Sequence, residues 1–363
     1  MSQNYIKNEE DLKMNKAKKN LIYVAMLSII MLFGGLTSAY IVSMGDSFWL
    51  KLSISSWPIA FWISTGIMLI GSISIQLALF YAKKGQLKRM KILLLMTLFF
   101  ALSFIYTQYL GYINLAKNGI HLTGSGIIVK KGKYGDLFKV KYKGSYIKVD
   151  GNNFSINAKK MSEDDFNAYK KFMQNFILLE NQVNQEFIKK EVIKINNYGD
   201  EFQIFYLNNA LNISNGKLVS QKYGKLKFTE RIHLSDLSKN VRDSRGDFFA
   251  KGDLGKDFHI YFKGDELDYF NRKLHLKGSP LPSYLQNKAE QSQDTSSSYL
   301  WLITILHLLH VVVTIFYILK LVLNSFTGKI SKSNNISLSL GVVFWHFLGF
   351  LWLYLLLFFL FIH

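Results

Sequence analysis

The stretch LIYVAMLSIIMLFGGLTSAYIVS, Leu21 to Ser43, is apolar along its length and carries no charged residue. A hydrocarbon core about 30 Å thick requires roughly 20 residues of helix, and inside it the backbone must satisfy its own hydrogen bonds. The stretch therefore predicts a membrane-spanning helix. Four similar stretches follow, and none of the five contains Asp or Glu. The four are Trp57 to Ala82, Ile92 to Ala116, Tyr299 to Leu323 and Ser337 to Ile362.

The basic residues outside the long polar segment predict how the spans are oriented. They cluster in the N-terminal tail, in the connection after the second span and in the connection after the fourth. The connection after the first span has only Lys51 against Asp46. By the positive-inside rule, the N-terminus is expected in the cytoplasm, and the polar segment and the C-terminus outside. Because the charges flank spans, we expect no nucleic-acid partner. The first span is too long for the apolar region of a cleaved signal peptide.

The polar segment between the third and fourth spans is long enough for a domain. Phe138, Val140 and Tyr142 alternate with lysines, which is the period of a half-buried strand, and turn residues then predict hairpins up to Ile156. Ser162, with an acid three residues later, resembles a capping box and predicts a helix. Further strands are predicted at Glu201 to Leu207, Lys225 to Phe228, Phe258 to Phe262 and Arg272 to Leu276, and a polar linker at Gln286 to Ser298.

These patterns predict an all-α polytopic membrane bundle of five transmembrane helices with an inserted extracytoplasmic, mainly β (α+β) domain. The chain divides into four segments. They are a cytoplasmic basic tail (1–20), the first three spans (21–116), the insert (117–298) and the last two spans (299–363).

Few residues in the spans could carry chemistry. The chain has no Cys, which excludes thiolate-bound copper and iron–sulfur clusters held by this chain. Without acidic residues in the spans, a relay of membrane carboxylates cannot run through this chain alone. Gln76 and Gln108 are predicted to bridge neighbouring helices. His307, His310 and His346 are predicted to hydrogen-bond carbonyls or hydroxyls at helix contacts, and the alternative is that they bind a metal or haem.

The first span also carries a stripe of small residues. Gly34 and Ser38 form one small-xxx-small pair, and Gly35 and Ala39 form a second. Such a stripe lets another helix approach closely. We therefore expect a packing function for these four residues.

Five segments together resemble subunit III of haem–copper cytochrome c oxidases, in a five-helix form with a large extra loop domain. They are IMLFGGLTSAYIVS (Ile30 to Ser43), WPIAFWIST (Trp57 to Thr65), QYLGYINLAKNG (Gln108 to Gly119), SSSYLWLITILHLLHVV (Ser296 to Val312) and WHFLGFLWLYLLL (Trp345 to Leu357). The last two segments are the most specific, and they contain His307, His310, Trp345, His346 and Trp352.

The resemblance implies a non-catalytic subunit of a proton-translocating oxidase in the bacterial plasma (inner) membrane. Its expected partners are the catalytic subunit I and the copper-bearing subunit II, which would hold the haem and copper of aerobic respiration. The chain itself would hold phospholipid but no metal, and it would have no catalytic residue. The residues expected to pack lipid or subunits are Gly34, Gly35, Ser38, Ala39, His307, His310, Trp345, His346 and Trp352.

The chain departs from that family at three places. Ile29 and Gly349 stand where many members carry acids, which puts any proton-linked function of those acids in doubt. The insert is far longer than the usual loop. Two alternatives stay open: a membrane-anchored sensory or binding protein whose outer domain takes a ligand, and a b-type cytochrome using His307, His310 and His346. The sequence does not distinguish cytochrome c from quinol as the electron donor.

Overall fold

The computed structural model describes residues 2–122, 126–196, 198–332 and 334–362. The chain divides into two compact units. The first, the bundle, comprises the chain up to Ser43, Trp57–Ala116 and the chain from Ser296 onward. The second, the β domain, comprises Met44–Ser56 and Lys117–Thr295. The connection after the first span therefore belongs to the same unit as most of the insert.

The described residues form nine α-helices. In chain order they are α1 (Ser2–Met44), α2 (Ile59–Lys83), α3 (Leu87–Lys117), α4 (Glu163–Gln174), α5 (Gln185–Lys190), α6 (Phe228–Arg242), α7 (Ser283–Gln291), α8 (Thr295–Phe326) and α9 (Ile336–Phe361). Five of them, α1, α2, α3, α8 and α9, are long and apolar enough to cross a membrane. The prediction of five such helices is confirmed, and the chain has the character of a multi-pass membrane protein.

Helices in the bundle approach each other closely at glycine. Gly111 of α3 lies against Phe61 of α2, where an added Cβ would come within 2.5 Å of the ring. Gly71 of α2 faces the indole of Trp345 from α9, which would lie 3.2 Å from an added Cβ. Small residues favour such contacts because helix association in lipid depends on van der Waals packing. Among the spans, α9 is the most buried and α1 the least.

The β domain contains antiparallel sheets built from short strands. The strands are β1 (Phe48–Leu52), β2 (Phe138–Tyr142), β3 (Ser145–Asp150), β4 (Asn153–Ile156), β5 (Lys159–Lys160), β6 (Phe202–Tyr206), β7 (Asn209–Ser214), β8 (Lys217–Ser220), β9 (Gly224–Lys225), β10 (Phe258–Phe262), β11 (Asp265–Phe270), β12 (Lys273–Leu276) and β13 (Ser279–Pro280). The coarse prediction of a helical bundle with a separate β region is confirmed.

Three segments of the β domain repeat one plan, a four-stranded meander followed by a helix. Repeat 1 is β2–β5 with α4, repeat 2 is β6–β9 with α6, and repeat 3 is β10–β13 with α7. The first strands read FKVKY, FQIFY and FHIYF, and in each every second side chain is buried. Each repeat opens on a glycine with positive φ whose N–H donates to the carbonyl of the first phenylalanine. The pairs are Gly135 with Phe138, Gly199 with Phe202 and Gly255 with Phe258.

The repeats pair through their first strands. Antiparallel pairing of β2 with β6 joins repeats 1 and 2 into an eight-stranded sheet of order β5-β4-β3-β2-β6-β7-β8-β9. In repeat 3 the strand β10 pairs instead with β1, from the connection between α1 and α2. This gives a five-stranded sheet of order β1-β10-β11-β12-β13. β1 thus occupies the position that another repeat would fill.

The interior of repeats 1 and 2 is aromatic. The rings of Tyr142 and Phe172 stack on Phe202 at 4.6 and 4.8 Å. A polar contact links repeats 1 and 3, because the buried Asp247 accepts hydrogen bonds from Arg272 Nη2 at 2.6 Å and from the Gly151 N–H at 3.1 Å. A buried carboxylate is stable only when it is paired and hydrogen-bonded in this way.

Several local predictions for the insert are confirmed. β2, β3, β4, β6, β10 and β12 lie at the predicted positions within a residue or two of their bounds. The predicted cap also forms, since Ser162 Oγ accepts the N–H of Asp165 at 3.2 Å and α4 follows it. Period-two alternation and capping depend on neighbouring residues, so a short window of sequence contains the whole signal.

Two local predictions are wrong. The strand predicted at Lys225 to Phe228 is replaced by the end of β9 and the start of α6, because Glu230 accepts the N–H of Lys227 at 2.7 Å and caps a helix there. The linker predicted at Gln286 to Ser298 contains the end of α7 and the start of α8. The Gln286 amide is fixed by hydrogen bonds to both backbone groups of Leu274, which orders a segment that looked polar and flexible.

Candidate functional site

The clearest side-chain cluster in the bundle forms around His307 of α8. His307 is buried, and its Nε2 donates to the carbonyl oxygen of Leu348 in α9 at 3.1 Å. Its ring lies 5.4 Å from the ring of Trp352 and 6.2 Å from that of Phe104 in α3. The hydrogen bond satisfies the imidazole in an apolar setting where an unpaired polar group would be costly. His307 therefore joins three helices.

Trp352 extends the same cluster to α2. Its Nε1 donates to Thr65 Oγ1 at 3.0 Å, and its ring lies 5.8 Å from that of Phe61. One helical turn away on the α2–α3 contact, the Gln108 amide donates to Ser64 Oγ at 3.0 Å. The prediction that Gln108 bridges helices is confirmed. We call His307, Trp352 and Phe104 with Thr65 the junction, since four helices meet there.

His310 lies outside the junction although it is only three residues from His307. Its Nδ1 donates to the carbonyl of Leu306 in its own helix at 2.7 Å, and its ring lies 5.9 Å from Phe33 of α1. The two histidines therefore contact different helices. The predicted hydrogen bond to a carbonyl at a helix contact is confirmed for His307, whereas His310 bonds a carbonyl of its own helix.

His346 of α9 contacts α2 through a side chain instead of a carbonyl. Its Nε2 donates to Gln76 Oε1 at 3.3 Å, so Gln76 also bridges helices as predicted. A groove of about 280 Å³ lies beside it and is lined in part by Gly349, Met68 and Ser72. A Cβ on Gly349 would have only ordinary contacts at 3.7 Å, so this glycine is not demanded by close packing within the chain.

Trp345 has a packing environment of a different kind. Its side chain is fully buried, and its Nε1 has no hydrogen-bond acceptor among the described residues. The indole fills the space that Gly71 leaves on α2. Trp345 therefore contributes shape and contact area. In the sequence, the only sign of the contact between Trp345 and Gly71 is a glycine within an apolar helix.

The small-residue stripe of α1 is largely uncovered by the rest of the bundle. Gly34, Gly35 and Ser38 are exposed, and Ala39 is half-buried. Added Cβ atoms on the two glycines would meet nothing within 4 Å among the described residues. Beside the stripe, Tyr354 of α9 donates to Thr37 at 3.1 Å, and Gly34 borders a groove lined by residues of α9. The described residues thus leave most of the predicted contact surface uncovered.

The site residues fall into three groups: the junction with His307 and Trp352, the single contacts of His310, His346 and Trp345, and the uncovered stripe. Sequence reasoning missed Thr65 and Phe104, whose residue types are common in any span. Within the described ranges no three His, Asp or Glu side chains cluster as metal ligands would. No protein-family model matches the chain, and neither a curated protein nor a solved structure matches it.

Proposed function

We propose that the chain is subunit III, the non-redox accessory subunit of a haem–copper terminal oxidase. The complex would reduce oxygen with electrons from cytochrome c or quinol and move protons outward. Haem and copper would belong to the catalytic subunit I and the copper-bearing subunit II. This chain would stabilise subunit I and hold phospholipid between its helices.

The observation that carries the proposal is the junction. His307 and Trp352, from the two segments most similar to the family, contact each other and tie α8 and α9 to α2 and α3. The polar partners of His307 and Trp352 in the junction are a carbonyl and a hydroxyl. Such bonds fix helix positions in lipid, and they provide no carboxylate for proton transfer.

The uncovered stripe of α1 supports the assignment to a larger complex. α1 is the least buried span, and its glycines face open space. A helix of another subunit could approach closely along Gly34 to Ala39 and gain packing contacts that lipid chains provide less well. We assign this surface to the contact with subunit I.

The orientation is part of the proposal. Basic residues at the start of α1, between α2 and α3 and between α8 and α9 favour a cytoplasmic location for these three regions. The β domain and the C-terminus would then lie outside the bacterial plasma membrane. Ile29 and Gly349 supply no acid, so the chain would act by bracing and by lipid contacts at grooves such as the one beside His346.

Purification of the tagged chain in mild detergent tests the proposal. We expect two larger subunits to co-purify, with haem absorption bands and copper. The variant Gly35→Leu should reduce their recovery by about tenfold, because a bulky side chain blocks a helix at the stripe. Gly66→Leu is the matched control, since Gly66 is also exposed in a span and its added Cβ also meets nothing. A chain that purifies alone, without haem, would contradict the proposal.

A second function, a membrane-anchored binding protein, is favoured by one observation: the β domain contains a cavity of about 550 Å³. Ligand sites commonly have volumes of 300–1,000 Å³. The same purification distinguishes the two functions, because this alternative predicts a chain without oxidase subunits. The third possibility, a b-type cytochrome, predicts a haem band that is lost in His307→Ala.

A further inference from the structure

The 550 Å³ cavity lies wholly within the β domain. One wall is the face of α6 that carries Ile232, Ser235 and Lys239. The segment from Gly126 to Lys131 forms a second wall, and the residues that end α7 and follow it form a third. These segments are far apart in the sequence, so local sequence patterns did not predict the cavity.

Backbone contacts hold the cavity walls in place. Gly126 and Ile128 form isolated bridges to Gln293 and Phe248. Asn240 of α6 donates to the carbonyls of Lys131 and Gly132 at 3.0 and 3.3 Å. Walls fixed in this way are typical of a preformed binding site, which loses little conformational entropy when a ligand binds.

Arg245 lines the cavity and is incompletely bonded. Its Nη2 donates to Asp243 at 2.5 Å, and the guanidinium lies 4.5 Å from the ring centre of Phe249. Its Nε and Nη1 are buried and have no acceptor among the described residues, with the side chain 11% exposed. A buried donor without a partner destabilises the fold, and the cost is larger when the group is charged.

A second arginine shows the contrast. Arg231 lines a neighbouring cavity of about 470 Å³, and all three of its guanidinium nitrogens are bonded. Its Nε and Nη2 donate to Glu191 at 2.9 and 2.6 Å, and its Nη1 donates to the carbonyl of Phe176 at 2.6 Å. The domain can therefore satisfy a buried arginine completely, and at Arg245 it does not.

Charge around Arg245 also favours an anion. Asp243 is shared, because Arg242 donates to it at 2.9 Å as well. Burial alone would raise the pKa of Asp243, but hydrogen bonds and charge from the two arginines lower it. The carboxylate is therefore bonded to both Arg242 and Arg245. At the rim Lys130 and Lys131 are exposed and form no ion pair with the described residues. Two acids also line the cavity, but Asp236 pairs with Lys239 at 3.9 Å and Glu290 with Lys133 at 3.7 Å, so positive charge predominates there.

Apolar side chains form part of the remaining lining, namely Ile128, Val129, Leu178, Ile232 and Phe249. We propose that the cavity binds an organic oxyanion, a carboxylate or phosphate carried on an apolar body, with Arg245 and the rim lysines contacting its oxygens. The proposal does not rest on the oxidase assignment. A soluble metabolite and a lipid headgroup share this chemistry.

Calorimetric titration of the full-length chain in detergent tests the site with matched probes. Phenyl phosphate combines an oxyanion with an apolar ring, inorganic phosphate lacks the ring, and benzyl alcohol lacks the charge. We expect saturable one-to-one binding of phenyl phosphate, about tenfold tighter than either fragment, and weaker in high salt because salt screens the charges. Dihexanoyl phosphatidic acid that displaces phenyl phosphate would identify lipid as a source, whereas a lack of competition would identify a soluble ligand.

Val183 provides the decisive variants, because it lines the cavity and is 40% exposed, so substitution should not affect folding. Val183→Glu should weaken phenyl phosphate binding about tenfold relative to Val183→Gln, since it adds only a repelling charge. Arg245→Gln should lose binding. Equal affinity of the two Val183 variants, or no saturable binding of either phosphate ester, would overturn the proposal.

Discussion

The two central strand pairs of the β domain have the same register but different origins. In the pair β2–β6, Val140 lies opposite Ile204, and both strands belong to neighbouring repeats. In the pair β10–β1, Ile260 lies opposite Leu50, which comes from the connection between two membrane spans. All four residues are buried. One pair is therefore built within the repeat array and the other requires a distant segment.

With three repeats, two first strands can pair with each other and the third needs a partner from elsewhere in the chain. A first strand without a partner would expose unpaired N–H and C=O groups at the edge of a sheet. Repeats 1 and 2 cover each other, whereas repeat 3 is covered by β1. The connection after α1 is therefore a structural part of the β domain, and its length and composition are constrained by that pairing.

A second difference concerns how each helix is tied to its meander. In repeat 1 the Tyr142 hydroxyl donates to Asp165 of α4 at 2.6 Å, and in repeat 2 Tyr206 donates to Glu230 of α6 at 3.0 Å. Each acid is the third residue of its helix. In repeat 3 the equivalent tyrosine position is Phe262, so the tie cannot form.

The largest expected effect comes from Leu50→Asp. Burying a carboxylate against Ile260 should destabilise the five-stranded sheet by more than about 4 kcal/mol. Hydrogen exchange of the full-length chain should show β10–β12 losing protection while β2 and β6 keep theirs. Val140→Asp should give the opposite pattern.

Lys51→Gln is the control for that comparison. Lys51 lies on the other face of β1, where its ammonium is 5.6 Å from the Tyr261 ring centre, so its loss should cost less than about 1 kcal/mol. Unchanged exchange in β10 of the Leu50→Asp variant would mean that β1 does not support repeat 3.

Asp247→Asn should have the next largest effect. The change removes the negative charge that pairs with Arg272, whose side chain is 32% exposed, and it should lower the free energy of unfolding by about 2 kcal/mol. Chemical denaturation of the β domain measures the change. Asp268→Asn, at an exposed position on β11, is the matched control and should be neutral. Equal effects of both variants would contradict a link between repeats 1 and 3.

Removing the tyrosine ties should have a smaller effect. Tyr142→Phe and Tyr206→Phe each lose one hydrogen bond to an acid, and each should lower the Tm slightly. Phe262→Tyr should bring no gain, because the third residue of α7 is Leu285, which cannot accept a hydrogen bond. Thermal unfolding of the three variants provides the measurement. A stabilising Phe262→Tyr would show that repeat 3 finds an acceptor elsewhere.

The smallest effect is expected from lowering the pH. Hydrogen bonds from Ser162 and then from Tyr142 lower the pKa of Asp165 below its usual value of 3.8. A carboxyl with a lowered folded-state pKa stabilises the fold above its unfolded pKa, and this contribution is lost as pH falls through the folded value. The difference in Tm between the native chain and Asp165→Asn should therefore shrink as pH falls from about 5 to about 3. A constant difference would contradict this assignment.

The local elements of the fold were predictable, and the pairing of β1 was not. Phe48, Leu50 and Leu52 alternate as the first strands of the repeats do, but five residues between two spans resemble any short connection. Comparison of FWLKL with FKVKY and FHIYF would have provided the signal. The sequence analysis did not predict α6. Its N-terminal cap depends on a hydrogen bond from the Lys227 N–H to Glu230, but the alternating pattern of the same residues indicates a strand.

The candidate site shows the same limit. Sequence analysis selected His307 and Trp352 and predicted the kind of partner that His307 has, because few polar groups occur in the spans. It could not predict that His310 contacts α1 while His307 contacts α9. A three-residue spacing places two side chains on roughly one face of a helix, and only the neighbouring helices decide what each contacts.

The sequence by itself determined the five spans, the capped helix α4 and six of the thirteen strands, because hydrocarbon thickness, capping and period-two alternation act on residues close in the chain. Only the tertiary structure decided that β1 covers β10 and that Arg245 lies at a cavity with two nitrogens that have no acceptor among the described residues. Both depend on the register and distance between segments far apart in the chain, and no local pattern encodes them.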